Sequence, residues 1–150
     1  MAMMLMWLST AFAQPQTTVP DDIVSFLHGK WHNYSFFIAD GTPVGEQDYK
    51  ETMKKKNDTT LTITAHNYKA GEDLTRDMIL VVKDSSIVMR QGAFEAVGKR
   101  EGNVYYLKGE AGDKEYRFRL YTLGDKYIFH SEVWADEKME MMNMSYLERE

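Results

Sequence analysis

The 150-residue chain contains no cysteine. That excludes thiol nucleophiles, thiolate metal sites, disulfides and redox chemistry together. An exported domain of this size then has to stand on its core alone, which it is long enough to do. Basic residues are also too few for a nucleic-acid face. Eighteen Lys and Arg stand against 23 Asp and Glu, interspersed, for a formal net charge of -5, whereas phosphate recognition calls for a net basic surface. There is no Gly-x-Ser-x-Gly elbow and no Walker loop. No repeat of 20–50 residues and no low-complexity tract occurs. With these absences the chain is expected to be no enzyme, to hold no metal and to need no cofactor.

What is present begins with an uncharged apolar stretch, residues 1–13, ending in Ala11-Phe12-Ala13 before Gln14. Small residues at the last and third-last positions suit a signal peptidase, although the stretch carries no Lys or Arg ahead of its apolar run. It is shorter than the ~20 residues a membrane-spanning helix needs. The expectation is a signal peptide at 1–13 and one domain at 14–150, secreted or periplasmic, with no stable membrane span after cleavage. A retained apolar segment is the alternative. No cysteine follows, so a bacterial lipoprotein anchor is excluded.

Residues 20–28 carry Asp21 and Asp22 ahead of Ile23, Val24, Phe26 and Leu27, and early carboxylates favour a helix dipole, so one or two helical turns should end before Gly29. From Trp31 the period switches to two: Trp31, Asn33, Ser35 and Phe37 share one face, and His32, Tyr34, Phe36 and Ile38 the other. Residues 39–45 have loop and turn chemistry. The clearest strand is 59–66, where Leu61, Ile63 and Ala65 oppose three threonines. Further alternating runs follow at short spacing, separated by Gly102, Gly112 and Gly124 turns, and the last of them covers 139–148. The pattern predicts an all-β fold, an antiparallel up-and-down meander barrel of about 8–10 strands with a short N-terminal helix, because closure removes exposed sheet edges.

A short helical lead followed by Gly29-Lys30-Trp31 opening the first strand of a meander resembles the calycin superfamily, and in particular the lipocalin-like domains of bacterial secreted proteins. The ending Ser145-Tyr146-Leu147-Glu148-Arg149 is similar to the last strand of fatty-acid-binding proteins with the Tyr and Arg order reversed. The resemblance implies that Trp31, following Gly29, packs across a closed barrel end and that Arg149 covers it.

Carrying the alternation of 59–66 around the chain turns Phe37, Tyr49, Leu61, Ile63, Met78, Leu80, Phe118 and Phe129 inward. They are the expected contacts of a small hydrophobic or amphipathic ligand held without catalysis. A barrel filled by its own side chains, acting in structure or interaction, is the alternative. Arg117 and Arg119 are expected to point outward, leaving the interior to Phe118 and Leu120. Met139, Met141, Met142 and Met144 occupy both faces of the last strand, as cavity lining or as core filling. His130 and Glu132 share a face, and an acid–base pair or haem ligand there is weighed against an ordinary hydrogen-bonded histidine.

Overall fold

A computed structural model describes residues 20–69 and 72–150. One five-residue helix, α1 (Ile23–Leu27), precedes ten strands. These are β1 (Gly29–Ala39), β2 (Thr42–Asn57), β3 (Thr60–Lys69), β4 (Glu72–Lys83), β5 (Ser86–Gln91), β6 (Phe94–Glu101), β7 (Val104–Ala111), β8 (Lys114–Leu123), β9 (Lys126–Ala135) and β10 (Lys138–Arg149). Each strand pairs antiparallel with its sequence neighbour, and β1 pairs with β10, so the meander closes into a barrel. The strand count is ten, and the fold is all-β as the alternation predicts.

Two boundaries differ from the sequence expectation. The loop expected over 39–45 contracts to a turn at Asp40 and Gly41, both with positive φ, and β2 starts at Thr42. Pro43 is tolerated because it lies at the start of the strand, next to the bulge between Phe37 and Ile38. The last strand runs on through Arg149, which pairs with Trp31, so the arginine lies within the sheet and not beyond it.

Alternate turns of a meander lie at opposite ends, which gives the barrel one end with α1 and one without. Asp22 caps α1, its Oδ1 accepting the Ser25 N–H at 2.9 Å. The helix buries Ile23, Val24 and Leu27 against the barrel core. Trp31 is fully buried beneath it and donates its indole N–H to the Leu27 carbonyl at 2.7 Å. Arg149 closes the same end from outside. Its guanidinium lies 4.6 Å over the Trp31 ring and donates to the carbonyls of His28, at 3.0 Å, and Phe26. Gly29 makes this approach feasible: its φ is +141°, and a Cβ there would stand 2.9 Å from the guanidinium. The stacked cation and the three carbonyl bonds tie helix, first strand and last strand together.

Trp31→Ala should therefore lower the unfolding free energy by about 3–5 kcal/mol. Urea denaturation followed by circular dichroism measures it; a loss below about 1 kcal/mol would show that the indole does not anchor this end.

Candidate functional site

The end opposite α1 is open. A cavity of about 450 Å³ enters there, with Arg76, Gln91, Ala111 and Met141 among its lining. A smaller pocket of about 50 Å³ lies among Met53, Ile63, Leu80, Tyr127 and Leu147, and shares Tyr49, Glu51, Met78, Met89 and Phe129 with the larger one.

The two sides of the large cavity differ in chemistry. β4, β5, β6, β8 and β9 contribute Met78, Met89, Phe94, Tyr116, Phe118 and Phe129. The rings interlock: Phe94 meets Tyr116 edge-on at 5.2 Å and Phe118 at 6.1 Å, and Phe118 lies 5.6 Å from Phe129. Gly109 leaves the space Phe94 needs, since a Cβ there would fall 2.8 Å from the ring.

The facing side presents Gln47, Tyr49, Glu51 and Asn143 to the cavity, with Asn33, Ser35 and Ser145 buried behind them. β1 turns Asn33 and Ser35 inward, β2 supplies Tyr49 and Glu51, and β10 supplies Asn143 and Ser145. They sit together because β1 is hydrogen-bonded to both other strands. Ser35 pairs in register with Ser145, Phe37 with Asn143, and Trp31 with Glu51. Asn33 Nδ2 donates to Glu51 Oε1 at 2.7 Å, and Ser35 Oγ donates to Asn33 Oδ1 at 2.9 Å. Ser35 and Ser145 meet at 2.7 Å, and Asn143 Nδ2 donates to Ser145 at 3.3 Å.

Glu51 is the unusual member. Only 6 % of it is exposed, and burial raises its pKa to about 7 against the hydrogen bonds from Asn33 and Tyr49, which oppose the rise. Among the described residues no cationic partner acts on it; Arg76, on the cavity wall, acts on Tyr49 instead. Burial also raises the pKa of Tyr49 and Tyr127.

Of the residues expected to meet a ligand, Phe37, Tyr49, Met78, Phe118 and Phe129 line the large cavity, and Ile63 and Leu80 line the small one. Leu61 is buried in the core and lines neither. Gly29, Trp31 and Arg149 lie together at the closed end. Sequence reasoning passed over Glu51, Asn33, Ser35, Ser145 and Asn143, although Asn33 and Ser35 fall on the face shared by Trp31 and Phe37. A polar residue repeated on a face bounded by large apolar ones was the signal available.

Arg117, Arg119, His130 and Glu132 lie on the outer face, apart from the cavity. Arg119 donates to His130 Nδ1 at 2.7 Å and pairs with Glu132 at 2.5 Å, while Trp134 donates to Glu132 at 2.8 Å. Burial, then the charge of Arg119, lowers the His130 pKa. Burial pushes Glu132 upward, but the bonds from Arg119 and Trp134 outweigh it and the net shift is downward. The group is a hydrogen-bonded brace on the outer side of the sheet, with His130 and Glu132 themselves buried. Of Met139, Met141, Met142 and Met144 on β10, Met141 lines the cavity. Among the described residues no cluster of three His, Cys, Asp or Glu side chains gathers to hold a metal. No helix among them is long and apolar enough to cross a membrane.

Among solved structures the chain is similar to the S-type phycobiliprotein lyase CPES from Guillardia theta, with a TM-score of 0.70 and 8% identity over 91% of this chain and 94% of that chain. It is also similar to Rv2717c from M. tuberculosis, with a TM-score of 0.57 and 15% identity over 85% and 94% of the two chains. The likeness is one of fold, here a closed ten-stranded antiparallel barrel. No family model matches the chain and no curated protein matches it. At these identities the likeness establishes the barrel and carries no activity with it.

The buried carboxyl of this barrel has a consequence for stability. Its folded-state pKa of about 7 lies above the usual 4.5, so the native state keeps a proton that the unfolded chain has already released. The contribution is fully present below the lower value and is lost as pH rises through the higher one, at up to about 1.4 kcal/mol per pH unit. Glu51→Gln removes the titrating group but keeps a carbonyl oxygen for Asn33. Relative to the parent, the variant should gain on the order of 3 kcal/mol between about pH 4.5 and pH 8. Paired urea titrations measure the difference, and a constant offset across that range would refute the assignment.

Proposed function

We propose that the protein is a non-catalytic carrier barrel that takes one small hydrophobic or amphipathic molecule through its open end. The cavity of about 450 Å³ carries this reading. Its volume falls within the ~300–1,000 Å³ of pockets that enclose small ligands, and a barrel filled by its own side chains would not leave it. The aromatic and methionine side suits an apolar body, and Asn143, backed by the buried Ser145 and Ser35, suits a polar end. The lyase neighbour shares the barrel at 8% identity, so its activity is not transferred here. Export belongs to the same proposal: residues 1–13 lie outside the described residues, and the sequence Ala11-Phe12-Ala13 supports cleavage before Gln14.

Native mass spectrometry of the full chain produced in a secreting bacterial host tests both halves. The expected spectrum shows a polypeptide beginning at Gln14 with an added mass of lipid or pigment size, lost on organic extraction. Ala65→Phe, which places a ring in the cavity, should abolish the added mass while the β circular dichroism persists. A bare polypeptide that also gives no thermal shift with amphipathic compounds would overturn the carrier reading, and an uncleaved N-terminus would overturn export.

A further inference from the structure

The hydrogen bonds of the polar row have a direction. Asn33 donates to Glu51, and the single hydroxyl proton of Ser35 goes to Asn33 Oδ1 at 2.9 Å in preference to the Tyr49 hydroxyl oxygen at 3.5 Å, which leaves the Tyr49 proton for Glu51. The 2.7 Å contact between the two serines must then be made by the proton of Ser145, which itself receives the Asn143 amide. The bonds that link Asn143, Ser145, Ser35 and Asn33 thus all run toward Glu51. What remains at the far end is an acceptor: Asn143 Oδ1 is buried and has no hydrogen-bond partner among the described residues. Native structures rarely leave such an atom without a reason. Asn143 stands on the cavity wall, in register with Phe37 on one side and Ser131 on the other.

A protonated Glu51 satisfies the same atoms in the opposite sense. Its O–H donates to Asn33 Oδ1, Asn33 donates to Ser35, Ser35 to Ser145, and Ser145 to Asn143 Oδ1. The two serine hydroxyls rotate and the two amides turn over, exchanging oxygen and nitrogen about one bond. Asn143 then presents its NH₂ instead of its oxygen.

We propose, resting on the carrier reading above, that Asn143 recognises the ligand's polar end. It accepts a hydrogen bond from a hydroxyl or ammonium group when Glu51 is ionised, and donates one to a carbonyl-type oxygen when Glu51 is protonated. Asn33 lies against Glu51 from β1, Tyr49 from its own strand and Tyr127 from β9. Both phenols stay protonated through the neutral range, since burial raises them further above their usual value. Arg76 of β4 acts on Tyr49, so the proton that changes near neutrality within the row is that of Glu51, which titrates at about 7.

The test uses two probes that share an apolar tail: decylamine, an ammonium donor throughout the range, and undecan-2-one, an acceptor only. Calorimetric titration of the full chain is made at about pH 5.5 and about pH 8.5, on either side of the Glu51 transition. Decylamine affinity should rise about tenfold from the lower to the higher pH and undecan-2-one affinity should fall by a similar factor. Glu51→Gln should flatten both responses, and Asn143→Leu should remove the discrimination at both pH values. A probe ratio that ignores pH would overturn the proposal. So would a pH-dependent ratio that survives Asn143→Leu, because it would reflect attraction to the Glu51 charge alone. Failure of both probes to bind at either pH would instead overturn the carrier reading, and this inference with it.

Discussion

The pairing of β1 with β10 is the constraint on which the rest depends. It joins residues more than a hundred positions apart and converts a meander with two open edges into a barrel with none. The same register produces both functional ends. At one end it sets Arg149 against Trp31, where the guanidinium stacks on the indole and holds the last carbonyls of the α1 segment. Further along it sets Ser35 against Ser145 and Phe37 against Asn143. A slip of one residue would turn the serines outward and open the plugged end together, because strand side chains alternate with period two.

Closure also explains why a carboxylate can persist inside. Glu51 is removed from water among Tyr49, Asn33 and Tyr127, and no cation among the described residues offsets the loss. An unpaired buried charge is costly, and the molecule meets that cost by holding the proton to higher pH. The interior is therefore a divided cavity, with an aromatic and methionine side facing a hydrogen-bonded row whose inner terminus is titratable. A purely apolar container would need neither the serines nor the asparagines. Their presence costs side-chain desolvation that only a satisfied network recovers.

The outer brace of Arg119, His130, Glu132 and Trp134 shows how similar residue types come to a different end. There the carboxylate has a guanidinium beside it and its pKa falls, whereas that of Glu51 rises. Identity of the residue did not distinguish the two glutamates. The charge of the neighbouring strand did.

Alternation alone determined that this chain would be all-β, that Trp31 and Phe37 would share a face with Asn33 and Ser35, and that Phe118 and Phe129 would turn inward while Arg117 and Arg119 turned out. These are consequences of a local geometry in which side chains reverse at every step. The turns at Gly102, Gly112 and Gly124 were legible for the same reason, since each carries a positive φ that glycine adopts without strain. Where β2 begins and where β10 ends was less plain, because a proline and a terminal charged pair look like loop until the partner strand is known. The tertiary structure decided the rest: that ten strands close, that the interior keeps about 450 Å³ of space, and that residues 33, 35, 51, 143 and 145 form one hydrogen-bonded row. Volume and long-range register depend on how strands 110 residues apart meet, and no local pattern along a chain records that distance.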